Sequence, residues 1–156
     1  MANLVSIANV HGGSMYPLLN SGDKVFLYDE VPIVGDIITF RDRDNYLTHR
    51  IIKVKPVIVT KGDNVPFYDE RPVSPDQIIG VVQKILKTNN RLIELKTLNL
   101  NKRMLKYGLF EMYVANLLNA ISGKTLNNKV KAALQPLYYG LVVRSIKNIN
   151  NGYHIE

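Results

Sequence analysis

The run His11-Gly12-Gly13-Ser14-Met15-Tyr16-Pro17 holds one hydroxyl on a glycine-rich turn, and an apolar lead, Leu4 to Val10, runs into it. Glycine accepts positive φ and lets a second chain approach closely, whereas proline drives the residue before it toward extended backbone. A serine shown on a tight turn at a strand end is displayed as nucleophilic serines are. It attacks only when a neighbouring group takes its proton. By itself, Gly-Gly-Ser also describes an ordinary loop.

Three histidines are candidate bases. His154 lies in the terminal stretch, where chains fray. His11 is close to Ser14 along the chain, but a side chain on the same strand edge rarely turns back onto its neighbour. His49 lies in the alternating run Tyr46 to Val54, which places Leu47, His49, Ile51 and Lys53 on one strand face. A histidine among inward aliphatics is more often a core or rim residue than a base, although imidazole titrates near neutral pH and suits general-base work. The third piece, Thr60 to Glu70, follows the apolar Val57-Ile58-Val59. Aspartates in a turn such as Gly62-Asp63-Asn64 usually cap backbone amides, but a carboxylate there can instead orient an imidazole. The chain has no cysteine, so neither disulfide nor thiol chemistry is open to it, and no metal site or cofactor is expected.

The elements that must position these groups differ between the two ends of the chain. Residues 1–90 carry ten Lys/Arg and ten Asp/Glu; residues 91–156 carry ten and three, so the whole +7 lies after a composition break near Asn89-Asn90. Two parts are expected, 1–90 and 91–156. The first reads as β: Lys24 to Tyr28, Asp36 to Phe40, a polar tip at Asp42 to Asn45, the return Tyr46 to Val54, Val57 to Thr60, and Ile78 to Leu86. Short strands with closely spaced turns predict a mainly β, coiled-barrel domain. In the second part, apolar residues at steps of three and four from Leu100 to Ile121 predict a helix that Ser122-Gly123 ends. A second, short helix is expected from Thr125 or Asn127 to Leu134.

Five ordered stretches resemble the type I signal peptidases. They are Ser14-Met15-Tyr16-Pro17-Leu18, Ser21-Gly22-Asp23, Val34-Gly35-Asp36-Ile37-Ile38-Thr39-Phe40, Thr48-His49-Arg50-Ile51-Ile52 and Lys61-Gly62-Asp63-Asn64. The likeness spans about residues 9 to 82 and does not reach residues 91–156. The bacterial branch has a lysine base at the position of His49. His49-Arg50 is similar to the branch of archaea, the endoplasmic reticulum and some Gram-positive bacteria. The resemblance implies a coiled β catalytic fold, with Ser14 as nucleophile and His49 as base. It also implies an acid at Asp69, with Asp63 as the alternative that otherwise shapes the turn. The backbone amide of Ser14 is the expected oxyanion donor; family members commonly add a hydroxyl at the Gly12 position, and since that donor is missing here, the backbone amide of Gly12 is a further candidate. The family's substrates bind as extended strands with small side chains before the cut, and Val10, Met15 and Leu18 are candidate pocket walls.

The resemblance therefore implies a serine endopeptidase that removes a leader or signal segment from a precursor. The alternative is a weak or inactive module of the same fold that docks a partner or an anionic membrane through its basic part. No recognised nucleic-acid module is present, so that partner class has the least support. A self-cleaving repressor-type peptidase would use lysine and carry a DNA-binding domain, and neither is legible. No basic-start, long-apolar leader is seen, and the uncharged windows Met112 to Gly123 and Ala132 to Val143 hold twelve residues each, against roughly 20 for a membrane span. The family's usual anchor helix is thus not legible, and a cytoplasmic or peripheral-membrane location is expected.

Overall fold

The computed structural model describes residues 2–95, together with Lys106, Leu109, Phe110 and Tyr113. Seven strands, β1 (Leu4–Asn9), β2 (Lys24–Tyr28), β3 (Ile37–Asp42), β4 (Asn45–Lys53), β5 (Val59–Lys61), β6 (Ile78–Leu86) and β7 (Leu92–Glu94), form one antiparallel sheet. Its order is β1-β2-β6-β3-β4-β5, with β7 also on β6. Ser74 and Gln77 bracket a single 3-10 turn, Pro75–Gln77, that leads into β6.

The alternation of residue types sets which faces are buried. β3 sits between β6 and β4, and both faces are covered: Ile37 joins one apolar cluster and Ile38 the other. A central strand read from both sides is a continuous apolar run rather than an alternating one. The larger cluster gathers Leu18, Leu19, Val25, Ile85 and Leu95, and the smaller one Phe40, Ile51, Ile58 and Val73. β3 and β4 are joined by the two-residue turn Arg43-Asp44, with Arg43 at φ 55° and Asp42 paired with Asn45. This polar tip falls where the charges predicted it, though β3 extends to Asp42 rather than ending at Phe40.

Register shifts interrupt the ladders β1/β2, β2/β6, β3/β6 and β4/β5. Each inserted residue bends its strand and increases the local twist. The sheet curls until the chain leaving β5 touches the chain leaving β1: the Asn64 amide donates to the Ser14 carbonyl at 2.7 Å. Strands at the two ends of the hydrogen-bonded path thus bring their following loops together.

The sheet continues past the composition break. β6 pairs with β3 through Ile78 to Val81 and with β7 through Lys84 to Leu86. Ile93 and Leu95 are buried in the larger cluster, and Glu94 pairs with Lys84 at 2.8 Å, raising the lysine's pKa above its ordinary value through that hydrogen bond and its charge. Lys106, Leu109, Phe110 and Tyr113 have helical backbone. The remainder of the expected long helix, the second helix and His154 lie outside the described residues. Among the described residues no helix is long and apolar enough to cross a membrane.

Candidate active site

Ser14 is held between backbone freedom on one side and apolar anchoring on the other. β1 ends at Asn9, and Val10 exchanges hydrogen bonds with the turn Gly22-Asp23: its amide donates to Asp23 at 2.8 Å and its carbonyl accepts from Gly22 at 2.9 Å. Gly12 then takes φ +81°, a conformation that L side chains disfavour. The Tyr16 amide closes a turn onto the Gly13 carbonyl at 3.1 Å. Beyond the serine, Met15, Leu18 and Leu19 are buried in the larger core. Asp23 fastens the far end of this loop. It is fully buried, accepts from the Asn20 and Thr88 amides and pairs with Lys87, whose ammonium also donates to the Leu18 carbonyl at 3.0 Å.

His49 lies mid-strand in β4, 6% exposed, with its ring edge-on to Phe40 at 6.4 Å between centroids. Its Nδ1 is 2.7 Å from Oδ2 of Asp69, and its Nε2 is 3.0 Å from Oγ of Ser14. A carboxylate only accepts, so Nδ1 carries the proton that it donates. In the neutral ring, Nε2 is then left to accept from the serine hydroxyl. Asp69 is fixed in turn by β5: its amide donates to the Thr60 carbonyl at 2.8 Å, and the Thr60 hydroxyl donates to Oδ2 at 2.6 Å. Three segments far apart in sequence, the β1 turn, β4 and the loop after β5, thus converge on one chain of hydrogen bonds. The arrangement can move a proton off the Ser14 hydroxyl and stabilise the imidazolium that results.

Asp63 is engaged elsewhere. Both of its oxygens accept from Arg50, at 2.8 Å each, and Arg50 also donates to the Gly35 carbonyl. This ion pair is almost fully buried, and the Asp63 amide meets the Met15 sulfur at 3.4 Å. The alternative acid is therefore corrected: with its oxygens turned to a guanidinium, Asp63 ties the loop to β4 and does not reach the His49 ring.

A cleft of about 90 Å³ lies beside Ser14, lined by Val10, Gly12, Met15, Leu47 and Thr48, with His11 and Tyr46 also at its wall. Of the three expected walls, Val10 and Met15 line the cleft, although both are also buried in the larger core. Leu18 does not line it: it is fully buried and packs the core, a second correction. His11 is exposed and lines the cleft. The sequence shows Thr60 only as a strand end and Asn64 only as the last residue of the Lys61 to Asn64 stretch, and their hydrogen bonds to Asp69 and to the Ser14 turn appear in the structure alone. Among the described residues no cluster of three or more His, Cys, Asp or Glu side chains could hold a metal ion. Comparison of the chain with protein-family models, with curated proteins and with solved structures returned no match.

Proposed function

We propose that this protein is a serine endopeptidase of the signal peptidase type that cuts a leader or signal segment from a precursor by acyl transfer. The observation that carries the reading is the unbroken chain Ser14 Oγ, His49 Nε2, His49 Nδ1, Asp69 Oδ2, with both bonds at 3.0 Å or less. Ser14 Oγ attacks the peptide carbonyl carbon as His49 Nε2 takes the hydroxyl proton. The C–N bond then breaks, and that proton goes to the leaving amine. Water, deprotonated by the same nitrogen, clears the ester and restores the serine. The register shifts and the contact between the loops after β1 and β5 support a coiled barrel as the catalytic fold.

The size of the cleft supports a small side chain before the cut. It measures about 90 Å³, and Val10, Met15 and Leu47 give it apolar walls. The substrate would lie extended, its backbone pairing with strand edge. A peripheral contact of the basic part with anionic membrane belongs to the same reading.

A second reading is a weak or inactive binding module of this fold, favoured by Gly12, which has no side chain and so offers no hydroxyl two residues before Ser14. A fluorophosphonate probe and a set of internally quenched peptides separate the two. The peptidase reading expects stoichiometric labelling of Ser14, lost in Ser14→Ala and reduced by orders of magnitude in His49→Ala, and at least about tenfold faster cleavage after alanine than after leucine or phenylalanine. Absence of labelling in the unaltered chain leaves the binding module.

A further inference from the structure

Resting on the serine-peptidase reading, we propose that Asn64 is a positioning residue that aims the oxyanion donor. The Asn64 side-chain amide donates from Nδ2 to the Gly13 carbonyl at 3.0 Å, and its backbone amide donates to the Ser14 carbonyl at 2.7 Å. The Gly13–Ser14 peptide is trans, since the cis bonds are at Tyr16-Pro17 and Lys55-Pro56. In a trans peptide the C=O and N–H point in opposite directions across one rigid plane. Holding the Gly13 oxygen therefore fixes where the Ser14 N–H points.

This peptide needs holding. It follows two glycines, and glycine offers the least resistance to rotation of the flanking dihedrals. The Tyr16 amide also donates to the Gly13 oxygen, at 3.1 Å, but it belongs to the same turn and would move with it. Asn64 reaches in from the loop after β5, so it ties the plane to a different part of the sheet. Gly62 allows the approach: a Cβ there would stand 2.7 Å from the Ser14 carbonyl oxygen. With glycine two residues before the nucleophile, no side-chain hydroxyl from that position shares the developing charge, which increases the weight on a correctly aimed backbone amide.

The test is the second-order rate at which a fluorophosphonate labels Ser14, because phosphonylation also places negative charge on an oxygen facing the donor. Asn64→Ala removes the side-chain donor and keeps the backbone bond to Ser14. Asn64→Asp keeps the shape and cannot donate. Both are expected to slow labelling by about tenfold or more, with the folded fraction from circular dichroism unchanged. The pH midpoint of labelling should stay unchanged in Asn64→Ala, because the Ser14–His49–Asp69 bonds do not pass through Asn64. Labelling of both variants within twofold of the unaltered chain overturns the proposal, as does a loss that merely tracks the folded fraction. If the unaltered chain is not labelled at Ser14, the peptidase reading itself has failed; if it is labelled and Ser14→Ala is not, only the role of Asn64 is being judged.

Discussion

Asp69 and Asp63 have the same side chain and different tasks, and the difference can be measured. In Asp69→Asn the carboxamide nitrogen can face Nδ1 and turn the imidazole to the tautomer whose Nε2 carries hydrogen, so that the ring no longer accepts from Ser14. Labelling of Ser14 should fall about 10³–10⁴-fold with little change in melting temperature. Asp63→Asn breaks a buried ion pair and leaves the Arg50 charge without its carboxylate, at a cost of about 3–5 kcal/mol. Below its lowered melting temperature it should still label far faster than Asp69→Asn. Equal labelling rates for the two variants would contradict the assignment. The resemblance already put Asp69 ahead of Asp63, but spacing along the chain alone could not choose, since both follow β5 within 20 residues of His49.

The loops after β1 and β5 work as one element, and two glycines serve it for different physical reasons. Gly12 has open space around its missing side chain but a φ of +81°. Gly62 has no such φ, yet its missing Cβ would meet the Ser14 carbonyl oxygen at 2.7 Å. Gly12→Ser is therefore expected to cost about 1 kcal/mol or more from backbone strain alone and to bring no gain in labelling rate. Gly62→Ala must push the two loops apart. It is expected to cost about 1–3 kcal/mol and to slow labelling as well, because the displaced atoms belong to Ser14. Thermal melts read beside labelling rates check both. Strand positions were largely legible from alternation and turn residues, β6 to the residue. The β5 boundary was less so, because Ile58 makes only an isolated bridge to Val73 and the strand runs on to Lys61.

For the whole molecule, the sheet runs on past the point where the charge balance changes. The basic balance begins near Asn90, but Ile93 and Leu95, beyond it, are buried against Val82 and Ile85. Burying such a side chain contributes about 1.5–3 kcal/mol. A chain ending at Asn90 is expected to lose about 3–6 kcal/mol, a large share of the ~5–15 kcal/mol that holds a typical domain folded. One ending after Leu95 keeps both side chains. Urea melts of the two truncations measure the difference, and equal midpoints would show that β7 adds nothing. β7 was not anticipated because three residues between a turn and a lysine-rich stretch show too little alternation to read.

The chain alone determined the local chemistry: which segments alternate, where the turns fall, and that one serine, one histidine and two acids stood in a suggestive order. Only the tertiary structure decided which acid meets the imidazole and which walls face the cleft. It also brought Thr60 and Asn64 to the site. The reason is physical. Strand period and turn propensity act over a few neighbouring residues, whereas the hydrogen bonds from Ser14 to His49 and from His49 to Asp69 span 35 and 20 residues and exist only after the sheet has curled.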